Sequence, residues 1–172
     1  DLGNFTVIGP SGSGKTVIVN FLIAQARRHN PRIVFFDKDR GAELFIRAIG
    51  GTYDVLRTGV PSRLNPLQLP DTPENRAFLI DWIAQLAKGD EQPISPEEMG
   101  QIKTAIDANF GAARSFRRLR NFVELLRGGH RPRPDDLYAR MRSWWGEGEH
   151  AWLFDNEHDE ADLTRQAVGF DM

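Results

Sequence analysis

The chain has 172 residues, room for one domain or a domain with a small subdomain, and an ordinary globular composition of 27% charged and 40% hydrophobic residues. Its net charge of −2 gives no global attraction to nucleic acid or an anionic membrane. The absence of cysteine excludes disulfides and thiolate metal sites, a reducing cytoplasm is the natural compartment, and no apolar run is long enough to span a bilayer or reads as a signal peptide. Phe5-Thr6-Val7-Ile8 reads as a short buried strand, and Val17 to Arg28 as a helix that is apolar on nearly every side. Arg32 to Phe36 is a second strand, with Asp37-Lys38-Asp39-Arg40-Gly41 as its exit turn. Ala42 to Ile49 is a short helix stopped by Gly50-Gly51, Tyr53 to Leu56 is a third strand, and Leu64 to Leu69 crosses a proline-rich loop. Strand–helix alternation of this kind predicts a parallel sheet with helices on its faces.

From Thr72 the pattern becomes helical. Thr72 is a cap with Pro73 at the first helical position, Phe78, Leu79, Trp82, Ile83 and Leu86 mark an apolar face, and Gly89 is the stop. Ser95-Pro96-Glu97-Glu98 is a capping box followed by Met99, Ile102, Ile106 and Phe110 at helical spacing. Phe116, Leu119, Val123 and Leu126 predict a third helix closed by Gly128-Gly129, and Leu137, Met141 and Trp144 a fourth, begun near Asp135 or Asp136. Ala167 to Asp171 reads as the chain returning to the sheet. The expected division is an α/β core over residues 1–71, an all-helical insert over 72–146 and an acidic connector with a returning strand over 147–172. The chain opens on Asp1 rather than Met and almost directly on its first strand, so it reads as an excised piece of something larger.

Between the first strand and helix stands Gly9-Pro10-Ser11-Gly12-Ser13-Gly14-Lys15-Thr16, a complete G-x-x-x-x-G-K-[ST] loop followed by Val17. Glycines let successive backbone N–H groups curl inward around a phosphate without Cβ clashes. The first turn of the helix adds unpaired N–H groups and its positive dipole end. Gly9 to Val17 is therefore the expected nucleotide-binding segment. Lys15 reaches the β- and γ-phosphates and the Thr16 hydroxyl is placed to ligate Mg²⁺. A nucleoside triphosphate, ATP with Mg²⁺, is the expected ligand.

With the loop and the insert placed, the sequence resembles the large ATPase of type IV secretion and conjugal-transfer systems. The resemblance is carried by Asp1 to Asn4, the phosphate loop, Phe35-Phe36-Asp37-Lys38-Asp39-Arg40-Gly41, Leu64-Asn65-Pro66-Leu67 and Val168-Gly169-Phe170-Asp171-Met172. It implies a RecA-like motor core, a hexameric or dimeric homo-oligomer and a place at the cytoplasmic face of the inner membrane. It also implies inner-membrane secretion partners and a role in pilus assembly and export of protein or DNA. The family's Walker B strand with its Asp-Glu pair, and any arginine finger, are expected beyond this stretch of chain.

Ile33 to Asp37 is also the loose form of a Walker B strand, and two readings of Asp37 stand. As Walker B it holds Mg²⁺ through water; as a neighbouring strand of the sheet it orients the exit turn. Only about twenty residues separate Lys15 from Asp37, just enough for one helix and a return strand, which favours the second. Thr16 and Asp37 are the candidate metal ligands. Asp39 joins Lys15 as a candidate catalytic residue, to polarise the attacking water, ahead of Glu43, which falls on a helix face.

Nine arginines lie between Arg114 and Arg142 against three acids, which suits a nucleic-acid groove. The competing reading is a solvated or internally matched face, and Glu147 to Asp162, with seven acids and no Lys or Arg, supplies a partner. Nucleic acid is thus a partner that is not favoured. Trp144, Trp145 and Trp152 fit core or interface roles better than base stacking, and His29, His130, His150 and His158 lack metal-ligand spacing. Two further readings share the loop: a DNA translocase or coupling protein of HerA/FtsK type, and a nucleotide-binding scaffold that does not hydrolyse.

Overall fold

Ile33–Asp37 (β1), Thr52–Val55 (β2) and Ala167–Asp171 (β3) are the segments where β-branched and aromatic residues cluster, and they pair as a parallel sheet in the order β1-β3-β2. The computed structural model describes residues 3–88, 93–127, 134–162 and 164–172. β3 lies between its two neighbours with Asp37 opposite Asp171 on one side and Tyr53 opposite Gly169 on the other. The ladder is extended at its ends by Ile33 N–H to Gln166 O (2.8 Å), Leu56 N–H to Asp171 O (3.0 Å) and Met172 N–H to Asp37 O (3.2 Å). The chain divides into two compact units, Asp1–Leu56 with Asp162–Met172, and Arg57–Ala161.

The first unit holds the sheet, helix α1 (Lys15–Ala26) and helix α2 (Glu43–Ala48). Its small core is Ala42, Ile46 and Tyr53, with Phe35, Phe45, Ile49 and Val55 packed around them. The expected strand at Phe5 to Ile8 does not form. A strand needs a ladder partner for its N–H and C=O groups, and no described residue pairs with this segment, whose Phe5 and Ile8 are 70% and 91% exposed. The apolar sides of α1 are likewise uncovered among the described residues: Val17, Ile18, Phe21 and Leu22 are all exposed.

The second unit is built on helices α3 (Pro73–Ala87), α4 (Pro96–Gly111), α5 (Leu119–Leu125), α6 (Leu137–Arg140) and α7 (Ala151–Phe154), with no strand among its described residues. The capping signals act as their chemistry dictates. Thr72 Oγ1 accepts from Asn75 N–H (3.2 Å), and both halves of the Ser95–Glu98 capping box are made, at 3.2 and 2.8 Å. Asp136 caps α6 by accepting from Ala139 N–H (2.8 Å). Leu79, Ile83, Ile102, Ile106, Leu119, Phe122, Leu137 and Met141 meet in one core and are essentially inaccessible. Each such side chain contributes roughly 1.5–3 kcal/mol through burial.

Three helical expectations change. Phe116 sits in a separate 3₁₀ turn, Arg114–Phe116, because Arg118 is extended and starts α5 afresh. The fourth helix is one α turn that tightens into the 3₁₀ segment Met141–Trp144, where Trp144 Nε1–H bonds to Leu86 O (3.1 Å). α7, too short to show a period, was not expected. The stops assigned to Gly89, Gly128 and Gly129 lie outside the described residues.

The unit also takes in residues 57–71 and 147–161. Buried amides explain this. Asn65, with no accessible surface, donates to Arg117 O (2.9 Å) and Asn156 O (2.8 Å). Gln68 donates to Arg114 O (3.2 Å) and Glu157 O (2.8 Å), while Asn156 donates to Leu64 O (3.0 Å). The Leu64-Asn65-Pro66-Leu67 segment is thus a polar staple ending in a fully buried Leu67.

Candidate nucleotide-binding site

The Gly9–Thr16 loop turns into α1 through two glycines in the left-handed region, Gly12 (φ 79°) and Gly14 (φ 84°), where a side chain would be strained. The turn is closed by Ser13 N–H to Pro10 O (3.2 Å). Gly14 is the N-cap and no side chain caps the helix there, so the N–H groups of its first turn remain available. They point the positive end of the dipole into the loop. Lys15 folds back over the loop and donates to Gly9 O (2.8 Å) and Pro10 O (2.7 Å). A phosphate in the loop competes with these carbonyls for the ammonium group.

A cavity of about 370 Å³ opens beside the loop, lined by Phe5, Val7, Lys15, Thr16, Val19, Phe35 and Asp37. Its walls are apolar, and its polar groups are Lys15, Thr16 and Asp37. Asp37 ends β1 and is nearly buried, at 9% exposure. Its Oδ1 accepts from Lys38 N–H (2.9 Å), and its Oδ2 accepts from Ala42 N–H (2.8 Å) and from the Tyr53 hydroxyl (2.7 Å). Burial and the adjacent Asp37 carboxylate push the Tyr53 phenol well above its ordinary pKa, since a phenolate there would be desolvated beside a negative charge.

Gly41 leaves a gap at this point. A Cβ on Gly41 would lie 3.7 Å from Thr16 Oγ1 and 3.9 Å from Asp37 Oδ1, so both oxygens border one small space that glycine keeps open. One hydroxyl and one carboxylate fit Mg²⁺, which keeps several waters and takes its other ligands from phosphate. Among the described residues there is no cluster of three or more His, Asp or Glu that suits a metal held by protein alone.

Asp39 is placed differently. It stands on the exposed turn after β1 with φ 72°, next to Arg40 at φ 56°, and does not line the cavity. Arg40 Nε–H reaches Asp171 Oδ2 (3.1 Å) at the end of β3. Glu43 pairs with Arg47 on the surface of α2 (3.0 Å). Sequence reasoning passed over Tyr53, Gly41 and Asp171; the pairing of Asp37 with Asp171 and of Tyr53 with Gly169 follows only once β3 is known to lie between β1 and β2.

The arginine-rich stretch is largely consumed inside its own unit. Arg131 and Arg133 lie outside the described residues. Arg118 and Arg120 converge on Asp155 at 3.0 and 2.9 Å, and Arg117 donates to Phe110 O (2.8 Å) and Ala112 O (3.1 Å). Arg127 pairs with Glu124 (3.0 Å) and covers the Tyr138 ring, Arg140 pairs with Glu98, and Arg142 lies over Trp145. From the acidic segment only Asp155 takes part in these pairs; the other partners are Glu98, Glu124, carbonyls and aromatic rings.

Known proteins support the same reading of the loop. Residues 3–126 match the family model of the TraG P-loop domain. The chain is 43% identical over its whole length to the type IV secretion system protein VirB4 of Bartonella henselae, and 37% identical to protein VirB4 of Agrobacterium fabrum, spanning 22% of each. It is 36% identical to the type IV secretion system protein PtlC of Bordetella pertussis over 95% of its length, spanning 21% of that protein. The solved VirB4 of Thermoanaerobacter pseudethanolicus shares its fold, with a TM-score of 0.65 over 95% of this chain and 48% of the other, at 15% sequence identity. The chain is an α/β P-loop fold and belongs to the TraG P-loop domain family, with VirB4 and PtlC type IV secretion proteins as its homologues.

Proposed function

We propose that this chain is the ATP-binding part of a type IV secretion ATPase, in which hydrolysis of Mg·ATP drives pilus assembly and export of protein or DNA. The observation that carries the reading is the uncapped Gly9–Thr16 loop with Lys15, Thr16 and Asp37 around one cavity. In this reading the first unit is the N-terminal part of a RecA-like core and the helical unit is its insert.

Each residue has a task. The N–H groups of the loop and the first turn of α1 hold the β- and γ-phosphates, and Lys15 exchanges its two loop carbonyls for phosphate oxygens. Thr16 Oγ1 and Asp37 Oδ1 are the groups that hold Mg²⁺, directly or through water. An ion held there would offset the negative charge of the phosphates. Asp39 is the proposed group that polarises the attacking water. Other copies of the same chain, as a dimer or hexamer, and inner-membrane secretion components are the proposed partners, at the cytoplasmic face of that membrane. No helix among the described residues is long and apolar enough to cross it.

The DNA-translocase reading is not favoured, since among the described arginines of the stretch Arg118, Arg120, Arg127 and Arg140 pair with carboxylates of their own unit. The test is calorimetric titration of the full-length protein with ADP and with a non-hydrolysable ATP analogue. Lys15→Ala removes charge-assisted hydrogen bonds worth roughly 1.5–3 kcal/mol, so affinity falls about ten- to a hundred-fold. Equal affinities for variant and parent sink the assignment.

A further inference from the structure

We propose that Tyr53 is a positioning residue for nucleotide-bound Mg²⁺, its hydroxyl fixing the Asp37 carboxylate so that Oδ1 faces Thr16; this rests on the reading of Asp37 as a metal-holding group. The two oxygens of Asp37 are used unequally. Among the described residues, Oδ2 accepts two hydrogen bonds, from Ala42 N–H (2.8 Å) and from the Tyr53 hydroxyl (2.7 Å), whereas Oδ1 accepts one, from Lys38 N–H (2.9 Å). The carboxylate torsion of an aspartate is soft and roughly two-fold. Two donors converging on one oxygen remove that freedom and leave the other turned to the gap beside Gly41, where Thr16 Oγ1 also lies.

The hydroxyl is brought there by the sheet. Tyr53 stands opposite Gly169 in the parallel register, and its ring lies so close to that residue that a Cβ on Gly169 would be 2.5 Å from Tyr53 Cδ2. The absence of a side chain at 169 gives the ring its path across β3 towards the end of β1. A phenylalanine would fill the same core volume, with the ring 4% exposed as in Tyr53. Among the described residues, the hydroxyl's hydrogen-bond partner is Asp37.

The experiment is nucleotide binding by the full-length protein, not turnover. A non-hydrolysable ATP analogue is titrated calorimetrically in excess Mg²⁺ and again in EDTA, for the parent, Tyr53→Phe and Asp37→Asn. Partners that orient a metal ligand are worth about ten- to a hundred-fold in metal affinity, so Tyr53→Phe should lose at least about tenfold of the affinity gain that Mg²⁺ confers. Its affinity in EDTA should match the parent, which also reports an intact loop. Loss in both arms alike marks a merely structural tyrosine and overturns the proposal. A full Mg²⁺ gain in Tyr53→Phe, with that gain lost in Asp37→Asn, overturns the role of Tyr53 alone. A full gain in both variants refutes the reading of Asp37, and the proposal with it.

Discussion

Replacing Asp155 with alanine tests whether the arginine-rich stretch is spent on the fold. The Asp155 side chain is 1% exposed and accepts from Arg118 Nε–H (3.0 Å), Arg120 Nε–H (3.0 Å), Arg120 N–H (3.1 Å) and Gly146 N–H (3.0 Å). Breaking a buried ion pair by removing one partner costs about 3–5 kcal/mol. Two features place this case at the low end. The arginine side chains are 25% and 46% exposed, so water recovers part of their solvation, and Arg118 keeps its bonds to the Asp155 carbonyl at 2.8 and 3.1 Å. A loss of about 3 kcal/mol, at about 2–4 °C per kcal/mol for a chain of this size, lowers the melting temperature by about 6–12 °C. Far-UV circular dichroism or scanning calorimetry reads it. A melting temperature within about 2 °C of the parent would show that Asp155 is not the sink for these charges, and the internal-matching argument would fail.

The remaining expectations concern the same two regions. Asp39→Asn in the full-length protein should lower kcat by at least about a hundred-fold, the usual worth of a positioned acid–base group, with nucleotide affinity nearly unchanged; an unchanged kcat removes Asp39 from the chemistry. Duplex DNA should bind no tighter than about 10⁻⁴ to 10⁻⁶ M at physiological salt, the range of non-specific contacts. Nanomolar binding that survives added salt, measured by fluorescence anisotropy, would revive the translocase reading. Alkaline titration followed by tyrosinate absorbance should show Tyr53 still protonated above about pH 10 for as long as the protein stays folded. The sign follows from the raised pKa of Tyr53: the unfolded chain releases this proton near pH 10 while the folded one keeps it, so the contribution of Tyr53 to stability is complete below about pH 10 and is lost above it.

The phosphate loop and the helical unit were legible because their signals are local. A capping box such as Ser95–Glu98 needs four consecutive residues, and the apolar face of α4 repeats within the helix that displays it. The strand at Phe5 to Ile8 was read from the same kind of local signal and failed, because a strand exists only through a partner. The amide staple shows the other limit. Asn65 and Gln68 look like polar loop residues in sequence, yet their partners stand 46 to 91 positions away and both side chains are buried. Arginines could be counted in the sequence, but only distances separated those that meet Asp155 from those that lie over rings.

The position of β3 carries the deepest consequence for the site. Residues 57–161 intervene between β2 and β3, yet β3 is the strand that joins β1 to β2. Loop-closure cost grows slowly with length, about 0.6 kcal/mol per doubling, so an insert of this size is tolerable where it has its own core. The candidate metal-holding carboxylate then depends on chain from both sides of the insert. Tyr53, before it, donates to Asp37; Gly169, after it, makes room for the Tyr53 ring, and Met172 N–H ties down the Asp37 carbonyl. Arg40 on the exit turn is held to β3 by Asp171 in the same way. Lys38 and Ala42 N–H hold Asp37 within its own exit turn, and the Tyr53 hydroxyl, whose ring packs on Gly169 of β3, adds the third bond. In the proposed reading, nucleotide grip is encoded within the loop and α1, whereas the setting of Asp37 draws on β2 and β3 as well.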